Sequence, residues 1–161
     1  MCCIIGTRVG YSRSKNTPLL RKIMGLTYAE ITLINTDDLA LARRKIIPES
    51  DVKQVTVNAL VDSGAFMLTI SDTIKRQLDL EVVELREIEL ADGSRSECEI
   101  VGPVDIRFKT RSTTCRAVVI PSAPEVLLGA IPLEDMDVIL DLKKQELTLP
   151  PDRPYIARTR V

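Results

Sequence analysis

The sequence predicts an all-β fold of one domain. Most of the chain after Met24 alternates apolar and polar residues with period two, which is the pattern of half-buried strands. Aromatic residues make up only 3% of the 161 residues, so the core must consist of Val, Ile and Leu, and the β-branched members of that set favour strands. A chain of this length fits one domain with a single hydrophobic core.

The first elements are predicted from short alternating runs. Residues 29–33 alternate as a strand, residues 35–38 have the composition of a turn, and residues 39–42 continue as a second short strand. Residues 55–61 place Val and Ala on one face of a further strand, which ends at Asp62.

Residues 66–70 are apolar and are predicted to re-enter the core. Ser71 is a good N-cap for a short helix over residues 72–78. Ile74 and Leu78 are spaced i and i+4 and give that helix one apolar face.

A hairpin is predicted where residues 84–90 and 95–101 flank Asp92-Gly93, because Asp-Gly between alternating runs is a strong hairpin signal. Gly102-Pro103 is expected to break the second strand, and residues 104–109 alternate again.

The remaining pattern predicts a polar turn over residues 109–114 and strands over 116–120 and 126–128. A closing hairpin is predicted from residues 138–142 and 146–149.

The domain is expected to span residues 24–150. Residues 1–23 form a leader with five Lys or Arg residues and no acid, which we expect to be disordered. A targeting peptide, or sequence upstream of the biological start, are the alternatives. Residues 151–161 begin with prolines and are expected to form a C-terminal tail.

Composition excludes several functions. The chain has no histidine, which excludes Ser-His and Cys-His catalysis and argues against zinc, so no metal or cofactor is expected. A net charge of −1 without a basic stripe argues against nucleic acid. No apolar run approaches the roughly 20 residues of a membrane helix. Asp135, Asp137 and Asp141 are predicted to form a solvated acidic surface.

Four cysteines occur without a Cys-x-x-Cys pair. Cys98 and Cys115 lie in strand patterns and are predicted to be small buried side chains. A reducing, cytoplasmic location is therefore expected.

The stretch Val61-Asp62-Ser63-Gly64-Ala65 carries the most chemistry. A strand that ends in an aspartate before a Ser-Gly turn places a carboxylate on a rigid support. The same three residue types also occur in ordinary turns, so Asp62 could be a turn former only.

Three motifs follow one another along the chain, and their order is more specific than any one of them. They are Asp62-Ser63-Gly64-Ala65, the hairpin tip Asp92-Gly93, and Leu127-Leu128-Gly129 before a helical turn around residues 132–136. This ordered set resembles the retropepsin-like (retroviral-type) aspartic peptidases, and most of all their small bacterial single-domain members.

The resemblance implies a closed β-barrel with a flap hairpin and one or two short helices, active as a symmetric homodimer. Asp62 of each subunit would be the catalytic residue that activates a water for hydrolysis of a protein or peptide substrate. Residues 146–149 would be the candidate strand for dimer contacts. The active-site loop would be supported by Ser63, Gly64, Ala65, Leu127, Leu128 and Gly129. The flap would contain Ala91, Asp92, Gly93 and Ser94.

Two other functions fit the same residues. A catalytically silent dimerisation or peptide-binding module would keep this fold without turnover. A small structural β-domain would contain Asp-Ser-Gly by coincidence.

Overall fold

The structure is a computed structural model that describes residues 25–89 and 92–159. The predicted leader, Ala91 of the predicted flap and the end of the tail lie outside the described residues. The strands are β1 Thr27–Asn35, β2 Gln54–Val61, β3 Leu68–Ile70, β4 Val82–Glu89, β5 Arg95–Phe108, β6 Arg111–Val119, β7 Leu127–Leu128, β8 Ile139–Asp141 and β9 Glu146–Thr148. The helices are α1 Thr36–Arg43, α2 Asp72–Leu78, α3 Ala130–Asp135 and a short 3-10 helix, Glu49–Asp51.

The fold is mostly β, as predicted, but the described residues contain three α-helices where one or two were expected. Seven strands form one sheet in the order β1-β2-β7-β3-β6-β5-β4, and β1 also pairs with β5, so the sheet closes on itself. The pairs β2–β7 and β3–β6 are parallel. Strands β8 and β9 form a separate hairpin.

Strand β5 belongs both to the closed sheet and to the β4–β5 hairpin. Its first half pairs with β4, and residues 104–107 pair with β1. The prediction that Gly102-Pro103 ends the strand is wrong, because β5 runs through both residues. Gly102 has φ +131°, and the register with β6 shifts between Val101 and Val104. A β-bulge therefore bends the strand from one partner to the other.

The segment after β1 also differs from its prediction. Residues 36–43 form helix α1, whereas a turn and a short strand were expected. The cause is Asn35, whose side-chain oxygen accepts hydrogen bonds from the backbone N–H groups of Asp37 (2.9 Å) and Asp38 (3.1 Å). This N-cap, followed by two acids in the first turn, stabilises a helix start.

Asn35 also connects α1 to α2. Its buried amide nitrogen donates to the carbonyl oxygens of Leu78 (3.0 Å) and Asp79 (3.2 Å). We expect Asn35→Ala to lower the free energy of unfolding by about 2–3 kcal/mol, since the cap is lost and the buried Leu78 carbonyl and the partly buried Asp79 carbonyl lose a donor. Urea unfolding measures the change. Asn35→Ser keeps a capping oxygen and should recover about 1 kcal/mol. Equal stability of the Ala and wild-type proteins would contradict this role.

The core fills the closed sheet with aliphatic side chains, and a smaller cluster lies under the β4–β5 hairpin. The smaller cluster contains Cys98, Ile100 and Val118, with Met67, Ile88 and Ile120 packed against it. Cys98 is buried, as predicted, and burial raises the pKa of the partly buried Cys115 thiol to about 12. None of the helices in the described ranges is long and apolar enough to cross a membrane.

Two local predictions are wrong. Phe66 does not enter the core, because 72% of its surface is exposed, while Leu68–Ile70 are buried as expected. The polar turn predicted over residues 109–114 is shorter, since β6 already begins at Arg111.

The C-terminal tail is bound to the domain by a carboxylate. Asp137 accepts two hydrogen bonds from the Arg153 guanidinium (2.7 and 2.9 Å) and one from the Arg158 backbone N–H (3.0 Å). These hydrogen bonds hold the pKa of Asp137 well below its usual range, and those from Arg153 have the largest effect. Arg111 donates to the Arg153 carbonyl oxygen at 2.6 Å. The prediction that Asp137 belongs to a solvated surface is therefore wrong.

Candidate active site

Asp62 lies at the end of β2, where strand pairing fixes its backbone. Leu60 and Val61 pair in parallel with Leu127 and Leu128. The Asp62 N–H donates to the Leu128 carbonyl oxygen at 3.1 Å. The position of this carboxylate is therefore set by two strands that are far apart in the sequence.

The turn after β2 holds the Asp62 side chain. Gly64 N–H donates to Asp62 Oδ1 at 2.9 Å, and Ala65 N–H donates to the Asp62 carbonyl oxygen at 3.1 Å. Such a local turn restrains the aspartate rotamer and leaves the side chain half-buried. Ser63 lies exposed at the tip of the same turn.

The chain after β7 packs directly against this loop. Ala130 N–H donates to the Ala65 carbonyl oxygen (2.8 Å), and Ile131 N–H donates to the Phe66 carbonyl oxygen (3.1 Å). A Cβ at Gly129 would lie 2.8 Å from the Met67 carbonyl carbon and 2.9 Å from the Ala65 carbonyl oxygen. Only glycine fits there, because real Cβ atoms do not approach backbone atoms so closely.

A cleft of about 480 Å³ opens between the Asp62 loop and the β4–β5 hairpin. Its surface is mainly apolar, with a few polar groups, which is the usual character of a ligand site. Its lining residues are Asp62, Gly64, Ala65, Phe66, Met67, Thr69, Arg86, Ile88, Glu89, Val118, Ile120 and Leu127.

The tip of the hairpin is a tight turn. Asp92 Oδ1 accepts hydrogen bonds from the Ser94 hydroxyl (2.6 Å) and the Ser94 N–H (2.9 Å). The hydroxyl bond is the main cause of the lowered pKa of Asp92. Gly93 has φ +80°, which favours glycine. These tip residues do not line the cleft, although β4, the first arm of the hairpin, does.

The structure brings four of the residues selected from the sequence into one cleft. Asp62, Gly64, Ala65 and Leu127 share the cleft. Ser63 faces a smaller depression of about 240 Å³, whose other lining residues are Ala130, Leu133, Glu134, Val138, Leu140 and Leu147. Within the described part of the chain, no three His, Cys, Asp or Glu side chains come together in a metal-binding arrangement.

Sequence reasoning did not identify eight residues of the cleft: Phe66, Met67, Thr69, Arg86, Ile88, Glu89, Val118 and Ile120. The alternation along β4 does place Arg86 and Ile88 on one face, so the pattern contained a signal for these two. Thr69 and Val118 come together only through the parallel pairing of β3 with β6, for which the sequence has no local signal.

Two solved structures are similar to parts of the chain. The chain is similar to the crystal structure of the retroviral protease-like domain of Ddi1 from Leishmania major, with 20% identity and a TM-score of 0.47, covering 78% of this chain and 90% of that one. It is also similar to a retropepsin-like aspartic protease from Rickettsia conorii, with 13% identity and a TM-score of 0.39, covering 66% and 68% of the two chains. No curated protein sequence matches the chain significantly.

The sequence profile of the aspartyl protease family matches residues 49–131, just over half of the chain. The matched region begins before β2 and ends inside α3. It therefore contains the Asp62 turn, the β4–β5 hairpin and Leu127-Leu128-Gly129, the three motifs on which the resemblance depends. The chain is a member of the aspartyl protease family, as its ordered motifs predict.

Proposed function

We propose that the protein is an aspartic endopeptidase that acts as a symmetric homodimer, with one Asp62 contributed by each subunit. The observation that carries the proposal is the position of Asp62, which is held at a strand end and opens onto a cleft large enough for a peptide. The chain contains one Asp-Ser-Gly. Among the described residues that line the cleft, the only other carboxylate is Glu89, which is 3.8 Å from Arg95. A second copy would supply the second catalytic carboxylate.

The chemistry requires two carboxylates around one water. The ionised Asp62 takes a proton from the water, whose oxygen attacks the carbonyl carbon of the scissile peptide bond. The protonated Asp62 of the partner subunit donates its proton to the carbonyl oxygen. Collapse of the tetrahedral intermediate then breaks the C–N bond. The leaving nitrogen receives the proton that the first Asp62 took from water, and a hydroxyl of the intermediate returns a proton to the Asp62 of the partner subunit. Two close carboxylates do not readily ionise together, so they share one proton and titrate as a pair.

The surface beside Ser63 is suited to contact a second copy. Ser63 borders the mainly apolar depression whose other lining residues come from α3, β8, β9 and the residue before β8. In the same segments of the chain, Ile131 and Ile139 have 40% and 43% of their surface exposed. In the dimer the Ser63 hydroxyls would hydrogen-bond across the twofold axis. The β4–β5 hairpin would cover the bound peptide as a flap and exclude water.

Dilution tests the shared site directly. Wild-type protein is incubated with a diverse peptide library from acidic to neutral pH, and cleavage is followed over a range of subunit concentrations. We expect the specific activity to fall steeply on dilution, at the concentration where light scattering shows the dimer dissociating. Specific activity that stays constant while the protein becomes monomeric would contradict a site built from two subunits. A stable dimer that binds peptides and cuts none would favour the silent module.

A further inference from the structure

One guanidinium lies on the wall of the cleft. Arg86 is on the face of β4 that also presents Ile88, and both side chains line the cleft with Asp62. Arg86 Nη1 lies 3.9 Å from the Met67 sulfur, which places the guanidinium against the loop that follows Asp62. The side chain is 46% exposed, so it is accessible to a bound peptide.

The charges around Arg86 do not balance. Its Nη2 pairs with the Glu84 carboxylate, and Arg116 Nη1 lies 4.0 Å from that same carboxylate. One carboxylate therefore serves two guanidinium groups. Further along the hairpin, Arg95 lies near two carboxylates, 3.8 Å from Glu89 and 3.4 Å from Glu87. The local excess of positive charge therefore lies at Arg86 and Arg116, which share one carboxylate, and not over the wall as a whole.

A guanidinium has five N–H donors in a rigid fork and can bind a second carboxylate while it keeps the first. A carboxylate that binds Arg86 beside the apolar part of the lining would gain more binding free energy than at a fully solvated surface, because a charge-assisted hydrogen bond is stronger where less water surrounds it. Among the described residues that line the cleft, Arg86 is the only cationic one, so an acidic side chain finds no comparable partner elsewhere in it.

We propose that Arg86 is a specificity-determining residue that selects peptides with an acidic side chain. This inference rests on the proposed peptidase function. Side chains two residues apart on an extended peptide share one face, as Arg86 and Ile88 do on β4. The preferred peptide therefore presents an acidic and an apolar side chain at positions i and i+2.

The test uses three peptides that differ only at the acidic position, with Glu, Gln or Lys there. For the wild type, we expect kcat/KM for the Glu peptide to exceed that for the Gln peptide by about five- to tenfold, mainly through KM. Arg86→Gln should abolish this preference, Arg86→Lys should keep part of it, and Arg86→Glu should turn it towards the Lys peptide. The matched control is Arg107→Gln, which removes a guanidinium of similar exposure (48%) from outside the cleft and should keep the wild-type preference.

Peptide binding separates this inference from the proposed function. The affinities of the same three peptides are measured on Asp62→Asn protein, with and without Arg86→Gln, after thermal melting has verified that each variant is folded. A Glu preference that disappears with Arg86→Gln supports the inference even if no variant cleaves a peptide. Cleavage or binding without a Glu preference, or with one that survives Arg86→Gln, overturns the inference and leaves the peptidase proposal standing wherever cleavage is seen.

Discussion

Asp62→Asn is expected to lower kcat/KM for peptide hydrolysis by about 10³-fold or more, because the water loses its base and the dyad loses its shared proton. Asparagine keeps an Oδ1 atom that can accept the hydrogen bond from Gly64 N–H, so the loop should keep its shape. The dimer should persist, and near neutral pH removal of like-charge repulsion should stabilise it. Cleavage of the peptide library and light scattering measure the two effects.

A mixture of wild-type and Asp62→Asn protein tests whether each active site uses both subunits. If each active site uses both subunits, excess Asp62→Asn protein should draw the wild type into inactive heterodimers and lower its activity in proportion. Asp72→Asn is the control, since it removes an aspartate on α2 that pairs with Arg76 and lies outside the cleft. Cuts that survive in Asp62→Asn, or wild-type activity that is indifferent to excess mutant, would rule out the paired-carboxylate site.

Gly129→Ala should have the largest effect on stability. The new methyl group would overlap the backbone of Ala65 and Met67, and backbone atoms cannot move aside as a side-chain end can. We expect a loss of about 3 kcal/mol or more in the free energy of unfolding, with displacement of the Asp62 loop. Urea unfolding gives the energy, and residual activity of the folded fraction reports on the loop.

Gly93→Ala is the matched control for this substitution. An added Cβ at Gly93 meets no atom within 4 Å, so only the strain of its positive φ remains, at about 1 kcal/mol. If Gly129→Ala were no more destabilising than Gly93→Ala, the close packing of β7 against the loop would not determine its position.

Short sequence patterns correctly predicted the elements whose formation depends on neighbouring residues. The strand before Asp62, the helix over 72–78 and the hairpin around Asp92-Gly93 each depend on neighbouring residues, and the structure contains all three. Helix α1 was not predicted, because four alternating residues do not distinguish a strand from a helix. The decisive contacts are the hydrogen bonds of Asn35, and two of them reach α2.

The sequence predicted the part of the candidate site that consists of its short motifs. The Asp62 turn and Leu127-Leu128-Gly129 do lie together, as the family order implied. The walls of the cleft were not predicted, because Arg86 and Val118 approach the loop only after the sheet has closed. Strand order and register are properties of the whole sheet, so no short segment specifies them.

The pairing of β2 with β7 has a consequence for biosynthesis. A ribosome releases the Asp62 turn well before Leu128 and Ala130, which hold that turn in place. During translation the aspartate therefore has no fixed position, and contacts so distant along the chain are among the last to form. In the peptidase that we propose, hydrolytic capacity would thus be withheld from the nascent chain, whose own unfolded segments are the nearest peptides available for cleavage.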